Sequence, residues 1–214
     1  MICGIDEAGR GPVCGPLTIG CVVVKDDKKL KKIGVRDSKN LSPNRRRELD
    51  KGIREIADKC YIRTLPPDYI DNCRDVASLN EIEAEEIAKI VNRLKPKKLF
   101  VDSPDRPGSV FADRIRRYLR IPLEIHSTNF AESKFPVVAA ASIIAKVKRD
   151  ADIEKLHGEF GYFGSGYPSD EETIGFLQNW IRKNRDYPHF VRKSWYTSER
   201  LMEEKVQRKV NEWF

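Results

Sequence analysis

Asp6 and Glu7 are adjacent carboxylates at the end of a short hydrophobic run, Ile2 to Asp6, and Gly9-Arg10-Gly11-Pro12 follows at once. Asp102 closes a second hydrophobic run, Leu99-Phe100-Val101, and Glu132 stands just ahead of a long apolar stretch. An isolated acid near a turn is ordinarily a solvated group or a helix cap. Asp6 and Asp102 depart from that pattern because each directly follows a strand-like segment. Carboxylates gathered at strand ends repel one another and call for cations, and hard oxygen ligands suit Mg²⁺ or Mn²⁺. Neighbouring strand residues point to opposite faces, so Asp6 and Glu7 can serve one centre only if the strand ends there. Gly9 and Gly11 supply a chain reversal at that place. The glycine run lacks the Gly-Lys-Ser/Thr ending of a phosphate-binding loop and the spacing of a dinucleotide fingerprint, which argues against an ATPase or a dehydrogenase.

The elements that must position these acids are legible from periodicity and turn chemistry. Strands are expected over residues 2–6, 18–24, 60–65, 98–102 and 121–125. The short link between the first two makes them antiparallel neighbours. Ser42-Pro43 starts a helix with a capping hydroxyl and a proline at its first position, and Leu49, Ile53, Ile56 and Ala57 form its apolar stripe. Asn80 to Glu83 fits a capping box for a helix with Ile87, Val91 and Leu94 on its buried face, ended by Pro96. Another helix is marked by Phe111, Ile115 and Leu119. The strand, helix, strand rhythm of this region implies a parallel part of the sheet. A long helix is expected from Pro136 to His157, apolar nearly all round in its first half and charged in its second. The glycine- and aromatic-rich run from Gly158 to Gly166 reads as a connector. Two further helices follow, one starting at Ser169 and one from about Ser198 to the terminus. The expected division is a catalytic domain over 1–160 and a helical subdomain over 161–214.

The 214 residues are enough to bury a core without metal or disulfide staples. Lysine and arginine number 40 against 33 acids, a net charge of +7, which favours an anionic partner, nucleic acid first, or else a highly charged surface that keeps the protein soluble or adapts it to heat. Cys3, Cys14, Cys21, Cys60 and Cys73 are odd in number, scattered and without zinc-like spacing. Most of them read as small core residues of a protein in a reduced, cytoplasmic compartment. No membrane span and no signal peptide is read.

Beyond single residues, five blocks resemble ribonuclease HII, with an archaeal character. Asp6-Glu7-Ala8-Gly9-Arg10-Gly11 with Gly15-Pro16 looks like the family's opening signature. Asp37-Ser38-Lys39, Val101-Asp102-Ser103-Pro104, Lys134-Phe135-Pro136 with Ala140 to Lys146, and Gly164 to Asp170 match the four that follow, in order. The resemblance spans residues 2 to 196. It implies an α/β, ribonuclease H-like fold: a five-stranded mixed sheet flanked by helices, with a C-terminal helical appendage. The implied activity is an endoribonuclease that hydrolyses the RNA strand of RNA/DNA hybrids and cuts 5′ to ribonucleotides embedded in duplex DNA. The implied ligands of two Mg²⁺ or Mn²⁺ ions are Asp6, Glu7, Asp102 and Glu132. Glu132 is a departure, because the family has aspartate there; Glu124 and Asp105 are near enough in sequence to be considered as substitutes.

The same resemblance implies that Gly9, Arg10 and Gly11, with Tyr167, read the ribose 2′-hydroxyl, which distinguishes RNA from DNA. Ser38 and Lys39 are implied phosphate contacts, with Lys146, Lys148, Arg192 and Lys193 as weaker candidates. A non-catalytic nucleic-acid binder and a scaffold with a structural metal are the rival classes. At the C-terminus, Gln207, Val210, Trp213 and Phe214 fall on the positions of the short motif that docks replication and repair enzymes on the DNA sliding clamp. The same run continues an amphipathic stripe with Met202 and Val206, so it reads either as a docking peptide or as a packed helix. Nothing in the charge pattern calls for more than a monomer.

Overall fold

A computed structural model describes residues 1–35 and 41–211, the side chains of 208–211 excepted. Along the chain the elements are β1 (Ile2–Ala8), β2 (Leu17–Val24), α1 (Lys28–Lys32), α2 (Pro43–Ile56), β3 (Lys59–Leu65), α3 (Pro67–Arg74), α4 (Leu79–Leu94), β4 (Lys98–Asp102), α5 (Gly108–Tyr118), β5 (Glu124–Thr128), α6 (Ala131–Lys134), α7 (Pro136–Phe160), α8 (Glu171–Lys183) and α9 (Tyr196–Asn211). The strands form one mixed sheet in the order β3-β2-β1-β4-β5. β1 pairs antiparallel with β2 and parallel with β4, and β4 pairs parallel with β5. This is the expected fold class. No helix among the described residues is long and apolar enough to cross a membrane.

By its internal contacts the chain divides into two compact units. The first comprises Met1–Ala8, Thr18–Thr64 and Ala77–Arg149, and holds the sheet. Its core sets Val22 and Val24 of β2 and Leu49 and Ile53 of α2 around Val137 to Ile144 of α7. Glycine lets the helix backbone approach the sheet: a Cβ at Gly4 would run into the Val137 carbonyl, and one at Gly20 into the Ala141 carbonyl. Cys3 and Cys21 are buried, with their sulfurs 3.2 Å apart.

The second unit comprises Gly9–Leu17, Leu65–Val76 and Asp150–Phe214. Its core is aromatic, with Phe163 and Phe190 stacked at 5.0 Å and Val13, Cys14, Leu177, Ile181 and Leu201 around them. The division therefore differs from a boundary at residue 160. It falls inside α7, and it draws in two earlier segments because the amides of Val13 and Cys14 donate to the Gly166 carbonyl.

Several element bounds also differ from the sequence expectation, each for a local reason. β1 runs on to Ala8 because β2 is long enough to pair with it throughout, Glu7 opposite Ile19 and Ala8 opposite Thr18. β3 stops at Leu65, directly before Pro66-Pro67 as a strand stop requires, and Pro67 also opens α3, at a position where a missing N–H is no loss. The cap of α4 is Ser78, whose hydroxyl accepts from the Glu81 amide at 3.3 Å, while Asn80 bonds to Asp105 instead. β5 starts at Glu124, opposite Lys98, past Pro122, which has no N–H for a ladder. Asp170, not Ser169, caps α8.

Candidate active site

β1 and β4 lie side by side with Ile5 opposite Val101, so the next residue on each strand brings Asp6 and Asp102 together. Asp6 is buried, and the Glu7 amide donates to its Oδ1 at 2.8 Å. Burial pushes the Asp6 carboxyl well above the usual carboxylate range, and the charges of Glu7 and Asp102 push it further. The Lys146 ammonium and a hydrogen bond with the Ser142 hydroxyl, both from α7, pull it back. Lys146 Nζ in turn donates to Ser142 Oγ at 2.7 Å. Asp102 Oδ1 accepts from the Ala131 amide at 2.6 Å, which fixes the start of α6 against the end of β4. Glu132, the second residue of α6, is buried there. Phe130, left-handed at φ 58°, turns the chain into that helix.

Strand alternation bears on Glu7. Because β1 continues through Ala8, Asp6 and Glu7 belong to opposite faces, and the expected strand end between them is not found. Glu7 acts on Asp6 through charge all the same. Among the described residues no three His, Cys, Asp or Glu side chains form a ready-made metal cage. The donor set nonetheless fits a hard divalent ion. Its members are all carboxylates, and Asp6 carries desolvation and like-charge repulsion, only partly offset by Lys146 and Ser142, that a cation would oppose. Mg²⁺ is commonly held by one or two carboxylates, with water and substrate oxygens completing its shell.

The second unit holds the glycine loop and Tyr167. Arg192 is fully buried beneath the loop. Its Nη2 donates to the Gly9 carbonyl at 2.5 Å, Nη1 to Arg10 at 3.1 Å and Nε to Gly15 at 3.0 Å. Trp195 Nε1 donates to the Gly11 carbonyl at 3.3 Å, and the Arg192 guanidinium lies 4.7 Å from the centre of the Trp195 ring. Gly11 is exposed, and a Cβ placed on it would lie 3.5 Å from Tyr167 Cε1, so the tyrosine ring stands against the loop backbone. The Tyr167 turn is fixed by Asp170, whose Oδ2 accepts from the amide and hydroxyl of Ser165 at 2.5 and 2.6 Å; these bonds lower its pKa to about 2.

A family model described as ribonuclease HII matches residues 3–198. This chain belongs to the ribonuclease HII family. It is an endoribonuclease of RNA in RNA/DNA hybrids or of ribonucleotides embedded in DNA. The ribonuclease HII of Pyrococcus furiosus is 44% identical over 213 residues, covering 98% of this chain and 94% of its own. The crystal structure of ribonuclease H2 from Pyrococcus horikoshii superposes with a TM-score of 0.90 at 41% identity, covering 96% of this chain and 99% of that one. The ribonuclease HII in a PCNA:RNase HII complex from Archaeoglobus fulgidus gives 0.86 at 42% identity, covering 94% and 96%.

Within this ribonuclease HII framework the sequence-predicted residues separate clearly. Asp6 and Asp102 meet at the strand ends, Glu7 acts on Asp6 by charge, and Glu132 follows the residue bound to Asp102. Lys146 belongs to the carboxylate site, beside Asp6. Asp105 is paired with Arg114 and bound by Asn80, and Glu124 is paired with Lys98 and His126 at the start of β5. Arg192 is not a surface phosphate contact: it is buried and committed to the glycine loop. Lys193 pairs with Asp186, and its amide donates to Asp71 at 2.8 Å. Ser38 and Lys39 lie outside the described residues, as do Trp213, Phe214 and the side chain of Val210. Ser142 was missed; a lone hydroxyl inside the apolar run Val137 to Ala145 is the signal that marks it.

Proposed function

We propose that Asp6, Glu7, Asp102 and Glu132 hold two Mg²⁺ or Mn²⁺ ions for hydrolysis 5′ to a ribonucleotide, leaving a 5′-phosphate and a 3′-hydroxyl, with Glu7 reaching the centre round the end of β1, which closes one residue later at Ala8. The observation that carries this reading is the burial of Asp6 beside Asp102 with Glu7 adding charge, an arrangement that is costly without a cation. When bound, such ions supply water activation and neutralisation of charge on the phosphate. The chain's own part is to place the ligands and to offset part of the cost of ionising Asp6. Lys146 and Ser142 favour the carboxylate form of Asp6, and the Ala131 amide orients Asp102. Gly9, Arg10, Gly11 and Tyr167 read the 2′-hydroxyl, and Ser38 and Lys39 contact phosphates. The peptide bond between Ala8 and Gly9 links the strand of Asp6 to this loop. A duplex with one embedded ribonucleotide, incubated with and without Mg²⁺, tests the reading. Metal-dependent cutting supports it; binding without cutting in Mg²⁺ refutes it in favour of a non-catalytic binder. Tyr167→Phe should lose more activity on a single ribonucleotide than on a continuous hybrid, and equal losses would assign the ring to packing.

A second reading concerns the C-terminus. The packed stripe of α9 includes Leu201 and Met202 but stops short of Val206, which is 57% exposed. Val206 therefore does not continue a packed helix face, which favours the docking reading of Gln207, Val210, Trp213 and Phe214. Together with the Archaeoglobus fulgidus PCNA complex, this supports docking on the DNA sliding clamp. A peptide of residues 205–214 should bind the clamp of the same organism at about micromolar strength in calorimetry. Trp213→Ala with Phe214→Ala should abolish clamp binding by the whole enzyme and leave cleavage of short duplexes and the melting temperature unchanged. A large fall in melting temperature with no peptide binding would show packing instead.

A further inference from the structure

Arg192 is far from the glycine loop in sequence, yet all three of its bonds named above end on carbonyls of that loop or its edge. The backbone around it is also fixed. Its own amide donates to the Val13 carbonyl at 2.9 Å, its carbonyl accepts from Ser198 Oγ at 2.7 Å, and Cys14 bridges to Val191. A planar guanidinium presents its donors in a rigid fork, so the three carbonyls are held in one mutual arrangement. Burying that charge is tolerable only where its donors are met, and the carbonyls and the Trp195 ring do this.

The consequence lies on the other side of each peptide. A trans peptide is planar, and its N–H points opposite its C=O. The Arg10 carbonyl points at Arg192, so the amide N–H of Gly11, in the same peptide, points away from it. Gly11 is exposed, and Tyr167 stands against it. We infer that Arg192 is a positioning residue for ribose recognition: it sets the Arg10–Gly11 peptide so that the Gly11 amide and the Tyr167 hydroxyl present together to the 2′-hydroxyl. The inference rests on the reading that this loop meets the ribose.

The test is the discrimination between a duplex with one ribonucleotide and the all-DNA duplex of the same sequence. Both affinities are measured by fluorescence anisotropy in EDTA, where no metal-dependent cutting occurs. The wild type should prefer the ribonucleotide duplex by about tenfold, the scale of one well-placed hydrogen bond. Arg192→Lys keeps the charge but replaces the fork with a single point donor. It should bring the preference within about twofold while binding the all-DNA duplex as the wild type does, an effect that general destabilisation would not produce. A full preference retained by folded Arg192→Lys would overturn the inference and leave the ribose reading intact. No preference in the wild type would overturn the ribose reading itself and the inference with it. Should the variant not fold, the Gly11 amide followed by NMR in the wild type decides. It should exchange rapidly in the free protein and become protected by the ribonucleotide duplex but not by its all-DNA counterpart. A Gly11 amide already protected in the free protein would refute the inference.

Discussion

Gly20→Ala tests whether the contact between β2 and α7 sets the catalytic geometry. Gly20 stands opposite Asp6 in the β1–β2 register, so a methyl added there shares the face on which Asp6 meets α7. It would run into the Ala141 carbonyl, and would lie 3.0 Å from Ile144 Cγ1 and 3.1 Å from the Ala145 Cβ. Carbon atoms prefer separations of about 3.5–4.0 Å, so the helix must retreat by roughly 0.5–1 Å. Ser142 and Lys146 ride on that helix, and a retreat of this size should break the hydrogen bond between the Ser142 hydroxyl and Asp6. Overpacking costs about 1–3 kcal/mol, and a lost bond to a charged group adds about as much again, so a loss of roughly 3 kcal/mol is expected. For a chain of this size that is a fall of about 6–12 °C in melting temperature. A displacement approaching 1 Å in a supporting group can also cost about 10²-fold in turnover. Gly175→Ala is the matched control. It lies in α8, where an added Cβ meets nothing within 4 Å. It should raise stability by about 0.8–1 kcal/mol, through helix propensity alone. Calorimetry and a cleavage assay read both variants. A Gly20→Ala enzyme with the melting temperature and turnover of the wild type would refute the argument.

The other expectations concern the carboxylates and the Tyr167 turn. Asp6→Asn should lose about 10³-fold or more in cleavage, on the scale of several kcal/mol of lost charge stabilisation. Its metal-free melting temperature at neutral pH should rise, because the wild-type pKa is raised on folding and ionised Asp6 therefore costs stability there; near-normal cutting at saturating Mg²⁺ would sink the assignment. Glu132→Asp should keep activity and shift the Mg²⁺ or Mn²⁺ optimum, whereas Glu132→Ala falls much further; identical metal titrations of wild type and the alanine variant would make Glu132 a bystander. For Asp170, the pKa falls from 3.8 unfolded to about 2 folded, so its contribution is present above the unfolded value and is lost as pH drops toward the folded one. The melting temperatures of wild type and Asp170→Asn should therefore differ most above about pH 4 and converge toward about pH 2. A pH-independent difference would show that the carboxylate charge is not what holds the turn.

What the sequence made legible follows from what is local. Strand cores such as Leu17–Val24, the Ser42-Pro43 helix start and the apolar half of α7 are carried by neighbours in the chain, and each is found. Bounds slipped where a local signal had a competitor. Asn80 fits a cap by spacing, but Ser78 offers the smaller hydroxyl two residues earlier, and the Asn80 amide is used to bind Asp105. Pro66-Pro67 reads as a strand stop and serves equally as the opening of α3.

The candidate site divides along the same line. Asp6 and Asp102 could be read as a pair because each closes its own strand, and the parallel β1–β4 register does the rest. Glu132 could be flagged but not placed, since its position depends on a four-residue helix pinned by Asp102. Ser142 was concealed by apolar neighbours, although a hydroxyl inside a buried stretch must find a partner, and here the partner is the acid at the centre of the site. Arg192 was misread for the opposite reason. Beside Lys193, in a basic chain, it looks like one more surface cation. Only the long-range pairing of Val13 with Arg192 and of Cys14 with Val191 carries it under the glycine loop. Composition places arginine and lysine in one class, but burial separates them. Lys193 stays exposed and pairs with Asp186, while the fork of Arg192 meets three carbonyls that no neighbouring residue in the sequence would have named.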